Sequence, residues 1–184
     1  ECTEDPLFLK LVEQLDNLEP TAESKLYLSQ LERNKGNISK SIEYLEESAS
    51  MQVDNFKKAR IYFRIAELKR KQGSYRSARS YYNKSLKYNP SQGRCYLRIA
   101  QMYSKSSNDC GANVFEKRAV NWIAANMADK AGLVDASIAS EARRAASSYR
   151  QRAPSKSDIF SDDMAGKTIS FNCWIGGSVK VPSL

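Results

Sequence analysis

The chain has 184 residues, with 29 lysines and arginines against 21 acids and no histidine, for a net charge of +8. That length is enough for one elongated domain, and the lack of histidine excludes Cys–His nucleophiles and His-bearing zinc sites. No run of 18 apolar residues is present, so no membrane-spanning helix is expected.

The first residues are acidic and polar and show no signal peptide. Because the chain begins at Glu1 and not at Met, it reads as a processed product or an excised piece, and the missing signal says nothing of export.

Residues 5–18 (DPLFLKLVEQLDNL) carry apolar side chains at 7, 8, 11, 12, 15 and 18, which is helical spacing. Asp5 and Pro6 suit an N-cap and a first helical position. The segment is either the second helix of a truncated preceding pair or an N-terminal capping helix.

Residues 22–55 form a helix pair whose Gly36, Ser41, Leu45 and Ser48 recur 37 residues later as Gly73, Ala78, Tyr82 and Ser85. The stronger pair is 59–92 (ARIYFRIAELKRKQGSYRSARSYYNKSLKYNPSQ). Small residues at Ala66 and Ala78 let two antiparallel helices approach closely. Ile65 and Tyr82 fill the space between them, Gly73 turns the chain, and Pro90 ends the second helix. In the next unit, 93–138, Tyr96, Ile99, Ala100 and Tyr103 fall on the first-helix core positions. Ala124, Ala128 and Ala131 match the second-helix signature about 12 residues late. An insertion near 106–117 (within SNDCGANVFEKR) is therefore expected to lengthen that helix at its start. Ala145, Ala146 and Tyr149 mark one more first helix, a cap at 139–152.

Residues 153–166 are small, polar and acidic and read as a linker. In the last segment, Thr168, Ile169, Phe171, Trp174 and Ile175 favour a strand, Gly176-Gly177 reads as a two-residue hairpin turn, and Ser178–Val181 return. A lone hairpin is marginally stable, so either its Phe171, Cys173 and Ile175 face or its Trp174 face should pack on the helices. Of the four cysteines, Cys2 lies at the terminus and Cys95 reads as a small packed residue. Cys110 and Cys173 sit in two weakly supported segments. They form either a disulfide or two free thiols.

Charge is segregated. Residues 1–55 hold 5 basic and 12 acidic groups, 56–105 hold 14 and 1, and 106–184 hold 10 and 8. A block of +13 fits an acidic partner. It fits equally a solvated helix face beside a −7 neighbour. No basic–aromatic sheet, zinc finger or helix-turn-helix pattern accompanies it, so no nucleic acid is expected.

Residues 59–92, with Tyr62, Ile65, Ala66, Gly73, Ala78, Tyr82 and Pro90, resemble one complete tetratricopeptide repeat, and the resemblance extends over roughly 22–152. It implies an all-α fold: a right-handed helical solenoid of about three helix pairs plus capping helices over 1–152, followed by the small hairpin of 153–184. The superfamily's usual binding surface is the concave groove lined by each first helix. Carried over, its positions are Arg60, Phe63, Arg64, Glu67, Arg70 and Lys71 in one unit. In the next they are Arg94, Leu97, Arg98, Gln101, Ser104 and Lys105. Arg94 and Arg98 match the basic positions by which some members hold a C-terminal carboxylate. Leu26, Gln30 and Arg64 depart from the rest of that clamp.

CGANVFEKRAVNW at 110–122 with FNCWIGGSVKV at 171–181 resembles a group of exported or envelope-associated bacterial members that end in a CWI hairpin. That resemblance implies an extracytoplasmic home and an adaptor role. The expected function is a non-catalytic module for a protein or peptide partner, without metal or cofactor, because no nucleophile–base pair or phosphate-binding Gly loop is present. The alternative is a structural component of a cell-envelope assembly.

Overall fold

Two serines make the same bond in successive helix pairs. Ser48 donates to the carbonyl of Ala22 at 2.7 Å and Ser85 to that of Ala59 at 2.8 Å, each across 26 residues. A small residue at the end of one helix can reach the backbone at the start of its partner only if the two run antiparallel in close contact. The computed structural model describes residues 6–184, without the side chains of Pro6, Phe8 and Leu9. Cys2 and Asp5 lie outside the described residues. The chain divides into two units, Glu1–Asn89 and Pro90–Leu184.

The first unit contains α1 (Pro6–Leu18), α2 (Ala22–Asn34), α3 (Ile38–Met51), α4 (Asn55–Lys71) and α5 (Tyr75–Tyr88). Thr21 and Ser24 cap α2 reciprocally, and the Asp54 carboxylate caps α4 by accepting from the Lys57 amide at 3.0 Å. The turns that close both pairs are alike. Gly36 and Gly73 take φ of 83° and 75°, and Asn37 and Ser74 donate back to Glu32 and Lys69. This left-handed helix ending needs a residue without Cβ.

The shared core is Ile42, Leu45, Ala49, Ile61 and Ile65, with Leu26, Ile38, Tyr62, Leu68 and Tyr81 packed on it. Tyr62 stacks between Tyr81 and Tyr88, at 6.5 and 5.7 Å, and the Lys84 ammonium sits over both Tyr62 and Tyr81. Cation–π contact thus absorbs part of the positive charge of α5. Ala78 is fully buried, so Ala78→Leu is expected to cost about 1–3 kcal/mol by overpacking. An unchanged melting temperature would contradict the helix register.

Helix α1 joins this unit through Val12 and Asp16. The Asp16 carboxylate accepts from Ser24 at 2.5 Å and from Lys25 at 2.8 Å, and Lys25 also pairs with Glu47 at 2.8 Å. Burial pushes the Asp16 carboxyl up, but the bonds from Lys25 and Ser24 outweigh it and hold the pKa below the usual carboxylate value.

The second unit contains α6 (Gly93–Lys105), a 3₁₀ turn at Ser107–Asp109, α7 (Val114–Val134), a 3₁₀ turn at Ala136–Ile138, α8 (Ala139–Arg152), α9 (Lys156–Ser161) and a hairpin of β1 (Thr168–Ser170) and β2 (Ser178–Lys180). The insertion is divided between loop and helix. Asn113 caps α7, whose 21 residues compare with 14 in α3 and α5. Ala124, Ala128 and Ala131 are all fully buried, as the 12-residue offset requires. Among the described residues the serine-to-carbonyl bond of the first two pairs has no counterpart here, because Ala131 stands at the position of Ser48 and Ser85. Instead Gly93 lies so close to α7 that a Cβ there would stand 2.6 Å from the Ala131 carbonyl oxygen.

Two expectations are corrected. Residues 153–166 are not all linker. Ser155 and Asp158 form a capping box that starts α9, Ile159 is buried, and Arg118 pairs with Asp158 at 2.9 Å. Nor is the hairpin closed by two glycines. Thr168, Ile169 and Ser170 pair with Lys180, Val179 and Ser178, which leaves residues 171–177 as the connection. Trp174 and Ile175 therefore lie in a loop and not in a strand. The loop has a task a tight turn could not perform: it brings Cys173 to Cys110, with Cα atoms 5.5 Å apart in a disulfide. It also brings the Trp174 indole N–H to the Ser106 hydroxyl at 3.0 Å. Gly176 and Gly177, both at positive φ, turn it back. Ile169, Phe171, Ile175, Val179 and Val181 are buried. Cys95 is a buried thiol in α6.

Candidate functional site

A first helix of each pair has one side on its partner and one side outward, and the outward side repeats with the unit. In the first unit the outward sides of α2 and α4 line two adjoining hollows. One, of about 260 Å³, is lined by Leu26, Ser29, Gln30 and Arg33 of α2 and by Phe63, Arg64, Glu67, Leu68 and Lys71 of α4, with Ser41 and Leu45 behind. The other, of about 240 Å³, is lined by Glu23, Leu26, Gln52, Lys57, Arg60, Ile61 and Arg64. Leu26 and Arg64 belong to both, so the hollows form one groove.

Five of the six α4 residues named from sequence line this groove: Arg60, Phe63, Arg64, Glu67 and Lys71. Arg70 does not line it. Its guanidinium forks onto the Glu67 carboxylate at 3.1 and 2.8 Å, and the buried Tyr82 hydroxyl donates to the same carboxylate. Burial and the Glu67 charge hold the Tyr82 hydroxyl well above its ordinary pKa, and Glu67 raises Arg70 in turn.

This arrangement sets the sign of the groove. Glu67 is neutralised from behind by Arg70. Arg33, Arg64 and Lys71 are exposed and in none of the ion pairs of the described residues. Phe63, half-buried and edge-on to Tyr82 at 5.6 Å, offers an apolar surface between them with Leu26. Arg33 and Lys57 are additions the sequence reading missed. Arg33 could have been found, because it stands at the twelfth position of the 22–55 unit, as Arg70 does in the next.

In the second unit, Arg94 and Lys105 of α6 are exposed, and Arg98 donates to Gln101 at 3.5 Å. Leu97 packs against the core of Ala131, Ile138 and Ala142, so much of its surface is already used. Ser104 is turned inward. It donates to Asn121 at 2.8 Å and accepts from Arg152 at 3.2 Å.

Among the described residues no helix is long and apolar enough to cross a membrane. Residues 59–92 match the tetratricopeptide repeat family. No curated protein matches the chain. Among solved structures, the chain is similar to the crystal structure of MamA at 13% identity, over 84% of this chain and 88% of that one, with a TM-score of 0.46. It is also similar to the human IFIT1 dimer with PPP-AAAA at 17% identity and a TM-score of 0.47, over 80% of this chain and 35% of that one. Residues 59–92 are thus one tetratricopeptide repeat, with its small residues buried and its glycine in the turn, and the pair at 22–55 shares its glycine turn and its serine bond.

Proposed function

We propose that the chain is a non-catalytic protein-interaction module whose α2–α4 groove holds an acidic peptide segment of a protein partner. The observation that carries this reading is the charge of the groove lining. In the larger hollow three exposed cations converge on Leu26 and Phe63 and its acid, Glu67, is bound by Arg70, while the smaller adds Lys57 and Arg60 against Glu23. Guanidinium groups take carboxylates bidentately, and the apolar pair would hold a side chain between the acids. Arg94, Arg98, Gln101 and Lys105 of α6 offer related chemistry in the second unit, with less apolar surface because Leu97 is packed. The Cys110–Cys173 bond supports an oxidising, extracytoplasmic home, in keeping with the exported bacterial group that the tail resembles. The absence of histidine favours binding over catalysis.

The test is selection from a displayed random-peptide library, followed by affinity measurement of the winners. Peptides rich in Asp and Glu around one apolar residue are expected. Arg64→Glu should weaken them at least about tenfold, or ~1.4 kcal/mol. Added salt should weaken wild-type binding, because exposed charges are screened over about 8–10 Å near physiological ionic strength. Arg98→Glu reports on the second unit separately. Winners without acids, or equal affinity for wild type and both variants, would refute the basic groove.

A further inference from the structure

The tip of α9 has the composition that a basic groove with an apolar floor selects. Ser155 and Asp158 start this helix, Ile159 is buried beneath it, and the Arg118 guanidinium holds Asp158 at 2.9 Å. The helix is therefore fixed, and what it turns outward is fixed with it. Phe160 is 74% exposed, and Asp162 and Asp163 follow at the helix end, both exposed. Of the large hydrophobic side chains exposed among the described residues, Phe160 alone has two acids within the next three positions.

An aspartate also stands where glycine is the ordinary residue. Gly36 and Gly73 end α2 and α4 at positive φ, and the amide of the following residue donates back into the helix. Helix α9 ends in the same way. The Met164 amide donates to the Ile159 carbonyl at 3.0 Å, and Asp163, at φ 50°, takes the place of the glycine. Its bond to Lys167 at 2.8 Å leaves the carboxylate side chain 95% exposed. Such a pair contributes little to stability, and the charge stays within reach of a partner.

We propose that the α9 tip of one copy of this chain occupies the α2–α4 groove of a second copy, so that the acidic partner of the groove is the chain itself. The proposal rests on the groove reading above and names its ligand. The two surfaces match in both respects on which that reading depends. Arg33, Arg64 and Lys71 are exposed cations around Leu26 and Phe63, and Asp162 and Asp163 are exposed acids beside Phe160. A cavity of roughly 150 Å³ holds a benzene ring, so the hollow of about 260 Å³ has room for the Phe160 side chain against Leu26 and Phe63. Of the cations on the segment, Lys167 is engaged by Asp163, and Lys156 lies at the far end of α9, about 6 Å along the axis from Phe160. The surfaces joined are unlike, so copies add head to tail or, exchanged reciprocally, close a pair. One aromatic side chain and two carboxylates make a contact well short of the ~800 Å² per partner of a standard interface. The association is accordingly weak, with a Kd on the order of 100 μM.

Sedimentation equilibrium from about 10 to 500 μM, in a Cys2→Ser background that removes inter-chain bonding through that thiol, tests the proposal. Reversible association of the wild-type surfaces is expected, and added salt should weaken it. Arg64→Glu, in the groove, and Phe160→Ala/Asp162→Asn, at the tip, should each raise the apparent Kd at least tenfold. Melting temperatures should not change, because Arg64, Phe160 and Asp162 are exposed. Mixing the two variants should restore association as a 1:1 complex, since the first keeps its tip and the second its groove. A wild-type chain that stays monomeric throughout, a variant that associates as tightly as wild type, or a mixture no more associated than its parts overturns the proposal. If acidic library peptides bind the groove while the wild-type chain stays monomeric, the groove reading stands and the chain is not its ligand.

Discussion

Reducing the Cys110–Cys173 bond, or replacing Cys173 by Ala, is expected to lower the stability of the second unit by about 4 kcal/mol in the chain-entropy description. The bond closes 63 residues of chain, and a loop of that length gains much freedom in the unfolded state when it is opened. The folded state has few other means of holding the segment. β1 and β2 have three residues each, and a two-stranded hairpin is marginal alone. Beside it stand burial of Ile169, Phe171, Ile175, Val179 and Val181, the Trp174–Ser106 bond and the Trp174–Tyr103 ring contact at 5.4 Å. Both tryptophans, Trp122 and Trp174, lie in the second unit, so tryptophan fluorescence during denaturant unfolding reports on that unit. The reduced protein should unfold at clearly lower denaturant, with Trp174 becoming exposed first. A change below about 1 kcal/mol would mean that burial alone secures the tail.

Tyr82→Ala is expected to remove about 3–5 kcal/mol from the first unit, the range for deleting a large buried aromatic. Tyr82 is fully buried, meets Phe63 edge-on, and donates to Glu67. Its loss leaves a cavity between α4 and α5 and takes one donor from the Glu67 carboxylate. Tyr82→Phe separates the two contributions: it keeps the ring and should cost about 1.5–3 kcal/mol, the share of a hydrogen bond to a charged group. Because the first unit has no tryptophan, circular dichroism should show the loss while tryptophan fluorescence follows the second unit. Equal stability of Tyr82→Ala and wild type would mean that α4 and α5 do not pack through this ring. Tyr82→Ala should also loosen Phe63 and Glu67, so peptide binding in the groove should fall with it.

The helix pairs were legible because their packing rests on single residues at fixed intervals. An alanine where two backbones approach, or a glycine where the chain must turn at positive φ, is required by local geometry, and so Ala66, Ala78, Gly36 and Gly73 could be located by counting. The 12-residue displacement of Ala124, Ala128 and Ala131 was readable for the same reason. The groove was partly legible, since Arg60, Phe63, Arg64 and Lys71 follow from helical position. That Arg70 can pair with Glu67 follows from their i,i+3 spacing, but that the buried Tyr82 hydroxyl also donates to Glu67, fifteen residues away in sequence and on another helix, is nothing helical position carries.

The sequence by itself determined where each helix has an apolar side. Only the tertiary structure decided what, if anything, covers that side. Residues 153–166 look like linker by composition, yet Arg118 from α7 holds α9 through Asp158. Trp174 has the preference of a strand residue, but it sits in a loop because Cys173 must reach Cys110. Leu7, Leu11, Leu15 and Leu18 of α1 have the spacing of a core face and are exposed, while Val12 and Asp16 make the contact with α2. The physical reason is common to all three. Periodicity and propensity act within one element, whereas burial is a property of the pair that meets, and long-range bonds of a few kcal/mol outweigh local preferences of a few tenths.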